Sequence, residues 1–231
     1  MTKLRNLFFI TVFAITMTAC LSDDEPSNDD KSMYDIVTFK GNLESNNNHA
    51  VFQYQKDGDS RTNTLLGNIA INSDVYKENS RVLLNYIPES GTHNIDDNIS
   101  IIRVTNIYND TVAINNISKI PDWENNPIEL YALWRAGKYI NIQCGLEYTI
   151  EPAAFALVVD EVTINNEIPD LYIVYDKESG RETYIKPYYA SIDISNIWNR
   201  QSCKGIRIHV NDKYYDKASY EFKKTALTPI N

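Results

Sequence analysis

The sequence predicts an all-β chain with two modules, a small barrel followed by a β-sandwich. Three observations point there. From Tyr34 onward, apolar residues recur with a period close to two, the spacing of a half-buried strand. The chain is rich in Tyr, Ile, Val and Asn, with only 8 Gly and 3 Met, a mix that favours strands joined by polar turns. Lys119 to Pro127, with two prolines, two asparagines and Trp123, breaks the pattern once and reads as a boundary.

The chain opens on an export address. Lys3 and Arg5 supply a short positive segment, Leu7 to Ile15 an apolar stretch interrupted only by Thr11, and Met17-Thr18-Ala19 leads into Cys20. Small residues before a cysteine suit a peptidase, and the cysteine thiol is the acceptor for a diacylglycerol, so residues 1–19 read as a signal peptide and Cys20 as the lipidation site. The apolar segment is shorter than the roughly 20 residues a membrane-spanning helix requires. Residues 20–33, with Asp23-Asp24-Glu25 and Asp29-Asp30, bury too little apolar surface to offset chain entropy and read as a disordered tether.

The first module, residues 34–118, carries short strands at Ile36–Phe39, Ala50–Gln55, Thr62–Leu66 and Asn68–Ile71. Arg81–Ile87 is a stronger one, stopped by Pro88, and Asn98–Tyr108 with Thr111–Ile114 read as a hairpin around Asn109-Asp110. After the 119–127 linker, the second module spans 128–225, with 226–231 as a disordered tail. Lys138–Cys144 alternates cleanly, placing Ile140, Ile142 and Cys144 on one face, and Phe155–Val159 suits a central strand. Leu171–Tyr175 and Glu182–Ile185 flank a turn at Asp176–Gly180. Tyr189–Ile194, Ile206–Val210 and Ala218–Phe222 complete the set, with Ile194–Gln201 as the one helical turn.

The pattern resembles the NigD-like lipoproteins of Bacteroidetes. It does so through the acidic run after Cys20, Arg81–Tyr86, Ile102-Arg103-Val104, Gly137–Ile142, the Leu171–Gly180 hairpin and Ser191–Ser195. The resemblance implies an N-terminal OB-like domain and a C-terminal β-sandwich. The acidic run is similar to the signal that follows the lipidated cysteine in surface-exposed lipoproteins of that phylum, which implies the outer leaflet of the outer membrane. It implies no catalytic residues, and the family's association with bacteriocin loci points to immunity. This chain has Tyr172-Ile173-Val174-Tyr175 where the family carries a more polar hairpin, often with histidine.

Composition narrows the partners. Removing residues 1–19 takes away two bases and no acid, leaving 20 bases against 31 acids. Nucleic acid and anionic lipid both recruit basic surfaces, so neither is an expected partner and the acyl chains on Cys20 must hold the protein at the membrane. Cys144 and Cys203 read in two ways: a disulfide closing a loop of about 60 residues and adding about 4 kcal/mol, or two buried thiols.

No catalytic constellation is legible. His49, His93 and His209 read as surface histidines, with no G-x-S-x-G elbow to supply a nucleophile. Asp57-Gly58-Asp59 starts like a calcium loop, but Arg61 holds the next ligand position. No cofactor or metal is expected. The sixteen tyrosines and three tryptophans are suggestive: Trp123, Trp134, Tyr188-Tyr189, Trp198 and Tyr214-Tyr215 could make a platform for a sugar or peptide, and Trp198, Tyr214 and Tyr215, near loops, are the foremost candidates. The expected function is non-catalytic surface binding of a protein or glycan, the alternatives being an envelope or glycan hydrolase accessory and a bacteriocin immunity protein. Protease treatment of intact cells should digest the protein; full protection would eliminate surface display.

Overall fold

A computed structural model describes residues 31–43, 49–120, 126–148, 154–177, 184–216 and 218–224. Cys20, the residues read as a signal peptide and as a tether (up to residue 30), Trp123 and the expected tail lie outside the described residues, as does most of the expected Asp176–Gly180 turn.

Residues 33–106 form a closed OB-like barrel from β1 (Met33–Leu43), β2 (His49–Tyr54), β3 (Asn63–Gly67), β4 (Arg81–Pro88) and β5 (Asp97–Asn106), in the order β1-β2-β3-β5-β4. Closure rests on β1, whose first half pairs with β4 and whose second half pairs with β2. The register shifts between Phe39 and Gly41, where Gly41 takes φ +105°, so a bulge bends the strand around the barrel. Alternation sends Val37 and Phe39 of β1, Phe52 of β2, and Val82, Leu84 and Tyr86 of β4 into the barrel core. The opposite set, Ile36, Thr38, Arg81 and Leu83, therefore faces out. Asn68–Ile71, expected as a strand, is not one; Asn68 instead turns its side-chain oxygen back to the Ile101 N–H at 3.0 Å.

The sandwich begins earlier than the sequence suggested. Tyr108–Thr111 (β6) and Ala113–Asn115 (β7) are not a continuation of the barrel or a hairpin arm: β6 pairs parallel with β12 (Tyr184–Asp193) and β7 parallel with β10 (Ala154–Asp160). The boundary thus falls at Ile107 rather than at 119–127. Asn109 and Asp110 favour turns when isolated, but here the ladder to β12 satisfies their backbone and overrides that preference. The remaining strands are β8 (Glu129–Ala136), β9 (Tyr139–Tyr148), β11 (Asp170–Asp176), β13 (Gly205–Val210) and β14 (Ala218–Lys223), with a helical turn, α1, at Ser195–Trp198.

The two sheets run β14-β13-β11-β10-β7 and β6-β12-β9-β8. Strands β11 and β12 therefore belong to opposite sheets, and the hairpin read across Asp176–Gly180 is corrected to a crossover. The apolar residues of both strands, Leu171, Ile173 and Tyr175 on one and Ala190 and Ile192 on the other, meet in the shared core. A bulge between Leu130 and Ala132 interrupts the alternation of β8, so no clean period of two marks this strand in the sequence.

Cys144 and Cys203 are both free and buried, so the second of their two readings holds. Cys144 points inward from β9 in one sheet, and Cys203 sits ahead of β13 in the other, its thiol donating to the Gly205 carbonyl at 3.2 Å. Burial pushes the Cys144 thiol up to about 12, which keeps it protonated and inert. Without reductant, the native protein should leave an aromatic disulfide reagent unreacted at both positions, and the denatured protein should consume one equivalent at each. Silence after denaturation would mean that the two are bonded.

Candidate functional site

The modules have separate apolar cores, and what joins them is polar. On the outer face of the four-stranded sheet, Trp134 of β8, Asn141 of β9, Ser191 of β12 and Asn109 of β6 lie directly across from one another. Against this row sits Arg81, the first residue of β4, 4% exposed. Its Nε donates to Ser191 Oγ at 3.0 Å, and its Nη2 donates to Asn141 Oδ1 at 3.2 Å. Within the barrel, Nη1 donates to Thr38 Oγ1 at 3.0 Å and Nη2 to the Ile36 carbonyl at 3.1 Å. The Asn109 side chain clasps the Arg81 backbone, accepting from its N–H and donating to its carbonyl, each at 2.9 Å. The guanidinium lies 4.6 Å from the centroid of the Tyr139 ring.

Every side-chain acceptor of Arg81 is neutral, and no carboxylate pairs with it among the described residues. Desolvation accordingly pulls its pKa down to about 10, against a smaller opposing effect of Tyr139, so the group still carries its charge at neutral pH. Asn141 Nδ2, buried in the same place, has no hydrogen-bond partner.

A second polar clamp lies beyond Arg81. The Gly58 N–H donates to the Arg135 carbonyl at 2.6 Å and the Gly137 N–H to the Gly58 carbonyl at 2.7 Å. Arg135 grips both oxygens of Asp59, at 2.8 and 2.7 Å. Asp57-Gly58-Asp59 is thus a docking loop. The Arg135 guanidinium occupies Asp59 and holds its carboxyl below the usual range, and no cluster of metal-ligating side chains exists among the described residues.

Two larger clefts open along the seam, one on each side of the Arg81 post, with a smaller and shallower one of about 270 Å³ over Arg81, Asn109, Asp110 and Ser191. The first, of about 410 Å³, is lined by Tyr34, Asp35, Tyr54, Trp134, Gln143 and Tyr189, with Ile36, Leu83 and Lys56. Gln143 and Tyr189 are cross-strand partners, and the Gln143 amide donates to the Tyr189 hydroxyl at 3.3 Å. Asp35 accepts from the Tyr86 hydroxyl at 2.8 Å and lies 2.8 Å from His93 Nε2. The His93 ring stacks on Tyr54 at 5.2 Å. Burial, then the Asp35 charge, raises the pKa values of Tyr54 and Tyr86, so both hydroxyls stay protonated. The second cleft, of about 400 Å³, is lined by Lys40, Arg81, Lys138 and Tyr139 among others.

The structure disperses the residues that the sequence put forward. Trp198 is 8% exposed, its ring covered by Arg135 at 4.3 Å with Lys224 at 5.6 Å, so it belongs to the core and offers no platform. Tyr214 and Tyr215 are each 66% exposed on a turn held by Asp212, and Tyr214 donates to Glu129 at 2.9 Å. Glu129 and Arg135 stand at opposite ends of β8, roughly 20 Å apart at strand rise, so Trp198 and the tyrosine pair do not meet. Trp134 and Tyr189 from the wider aromatic set do meet, joined by Tyr34 and Tyr54 from the barrel. Nor are His93 and His209 idle surface groups, since each pairs with an aspartate, Asp35 and Asp170. His49 stands 2.6 Å from the Gly67 carbonyl.

These features define a two-module, all-β protein with a polar seam and a cleft on either side of it. No protein-family model and no curated protein matches the chain. Solved structures of the same fold do. A protein of unknown function from Bacteroides vulgatus aligns with TM-score 0.66 and 17% identity over 85% of this chain and 92% of its own. A NigD-like immunity protein from Bacteroides caccae aligns with TM-score 0.55 and 15% identity, covering 84% and 97%. A protein described as a lipoprotein from Bacteroides fragilis gives 0.56 and 15%, covering 84% and 99%. The chain therefore has the fold of NigD-like proteins.

Replacing Arg81 with Met takes the guanidinium donor from Ser191, Thr38 and the Ile36 carbonyl, and leaves Asn141 Oδ1 with the Ser191 hydroxyl alone, at 2.8 Å. Denaturant unfolding should show a loss of about 3 kcal/mol, and Arg81→Lys should recover part of it. A loss below about 1 kcal/mol would mean that the seam does not depend on the guanidinium.

Proposed function

We propose that this is a non-catalytic lipoprotein of the bacterial outer membrane, displayed at the cell surface, and that its aromatic cleft binds a saccharide. The observation that carries the reading is the convergence of Tyr34 and Tyr54 from the barrel with Trp134 and Tyr189 from the sandwich. Sugar rings present C–H faces that stack on aromatics and hydroxyls that need hydrogen-bond partners at the edge. Asp35, Lys56, Gln143 and the tyrosine hydroxyls supply both donors and acceptors around the aromatic walls.

Several features support binding without turnover. Glycoside hydrolysis in its usual form uses two carboxyl groups about 5–9 Å apart, and Asp35 is the single carboxylate lining this cleft among the described residues. That carboxylate is already committed to Tyr86 and His93. Among the described residues no serine, threonine or cysteine lines the cleft, which leaves the Asp35–His93 pair without a conventional nucleophile to activate. The export address ending at Cys20 and the acidic run behind it support the lipid anchor and the location. The fold shared with a protein described as a lipoprotein agrees with them.

The mature full chain in detergent, screened on a glycan array and then by calorimetry, tests the proposal. Trp134→Ala and Tyr189→Ala should each weaken the selected saccharide at least about tenfold, while Tyr214→Ala leaves affinity unchanged. An array without a saccharide ligand, or one whose ligand ignores both substitutions, would dismiss it.

A further inference from the structure

The cleft on the far side of Arg81 has a different chemistry. In a chain with 31 acids and 22 bases, it is lined by three cations, Lys40, Arg81 and Lys138, and by no carboxylate among the described residues. The positions follow from the strands. Lys40 lies two residues beyond Thr38 on the outer face of β1, and Lys138 stands in the β8–β9 turn beside Tyr139.

The balance of charge is unmet. Lys138 has a counter-ion, Asp193, at 2.6 Å. Burial pushes the Asp193 carboxyl up, but hydrogen bonds from Lys138 and Ser195 outweigh that and hold it low. Lys40 bonds the amide oxygen of Asn79, a neutral partner. Arg81 spends four of its five N–H donors on the neutral acceptors Ser191, Asn141, Thr38 and Ile36, leaving one Nη1 hydrogen unspent. Three positive charges thus face one negative charge, a surplus of two. A buried cation is ordinarily compensated by an anion, because low dielectric makes an uncompensated charge costly. Concave walls also focus the resulting field toward whatever enters.

We infer that this cleft is a second binding site, one that takes an oxyanion: the carboxylate of an acidic sugar, or a phosphate or sulfate. Lys40 and Lys138 contact the anion through their ammonium groups, the Tyr139 hydroxyl and Thr62 offer further hydrogen bonds, and Arg81 supplies fixed charge behind them. A cavity of about 400 Å³ exceeds the need of a bare inorganic ion, given a water's share of about 30 Å³. The size therefore favours an oxyanion carried on a larger body. This site shares no lining residue with the aromatic cleft, so it stands whether or not a neutral saccharide binds there.

The test titrates the mature full chain in detergent with trigalacturonate, inorganic phosphate, inorganic sulfate and the neutral trigalactoside. Lys40→Gln and the double variant Lys40→Gln/Lys138→Gln are measured alongside, with melting temperature as a check on folding. At least one anion should bind, more weakly at high salt, and the double variant should lose about tenfold or more in affinity. Lys40→Gln alone, which breaks no ion pair, should lose part of it with an unchanged melting temperature. Preference for trigalacturonate over both inorganic ions would identify an acidic sugar, and the reverse a phosphate or sulfate. The inference is overturned if no anion binds, or if Lys40→Gln and the double variant both bind as the unaltered chain does.

Discussion

A charged guanidinium buried without a carboxylate is the constraint around which the two modules are arranged. Arg81 begins a barrel strand whose alternate residues fill the barrel core, so its side chain must leave the barrel. It would cost several kcal/mol to bury that charge unsolvated. The protein avoids this by presenting four neutral acceptors from two modules and the face of Tyr139. Each acceptor comes from a different strand or strand position, so the guanidinium is satisfied only when barrel and sandwich are docked in one way. Association of two β modules through apolar faces would tolerate sliding. A fork of five donors does not.

The clefts are consequences of that junction. Two convex bodies held together at a post leave space on each side of it, and the residues beside the post decide what the spaces are. Along β9 the outward positions are Tyr139, Asn141 and Gln143, two residues apart; along β12 they are Tyr189, Ser191 and Asp193. The central pair holds Arg81. Gln143 and Tyr189, on one side, meet Trp134 and the barrel tyrosines. Tyr139, on the other, stands among Lys40 and Lys138, with Asp193 paired to the latter. The two-residue period of a strand thus separates an aromatic cleft from a basic one by a single step on either side of Asn141 and Ser191.

Most strands were legible because one face of each is buried against a core and alternates accordingly, as Lys138–Cys144 and Arg81–Ile87 do. Local signals mislead where partners outside the segment override them. Asn109-Asp110 looked like a turn but is held in a parallel ladder, and β11 and β12 looked like a hairpin but cross between sheets. The site was barely legible. Trp134 and Tyr189 stood out only as aromatics among many, and Trp198 looked more available than it is because nothing in its own segment announces Arg135 above it. A signal did exist: Arg81, Asn109, Asn141 and Ser191 are polar groups interrupting strands, and their faces turned out to be covered.

What the sequence determined by itself was period. Alternation specifies which side of each strand is apolar, and the run ending at Cys20 with the acids behind it is the chemistry on which the proposed export and tethering rest. Tertiary structure alone decided which outward faces meet. An outward asparagine on a strand reads the same whether it faces water or a guanidinium, because the period of two records only two sides. Arg81 and Asn141 are 60 positions apart in sequence yet share a hydrogen bond. That pairing, with the two clefts it creates, follows from long-range docking between modules and has no local trace.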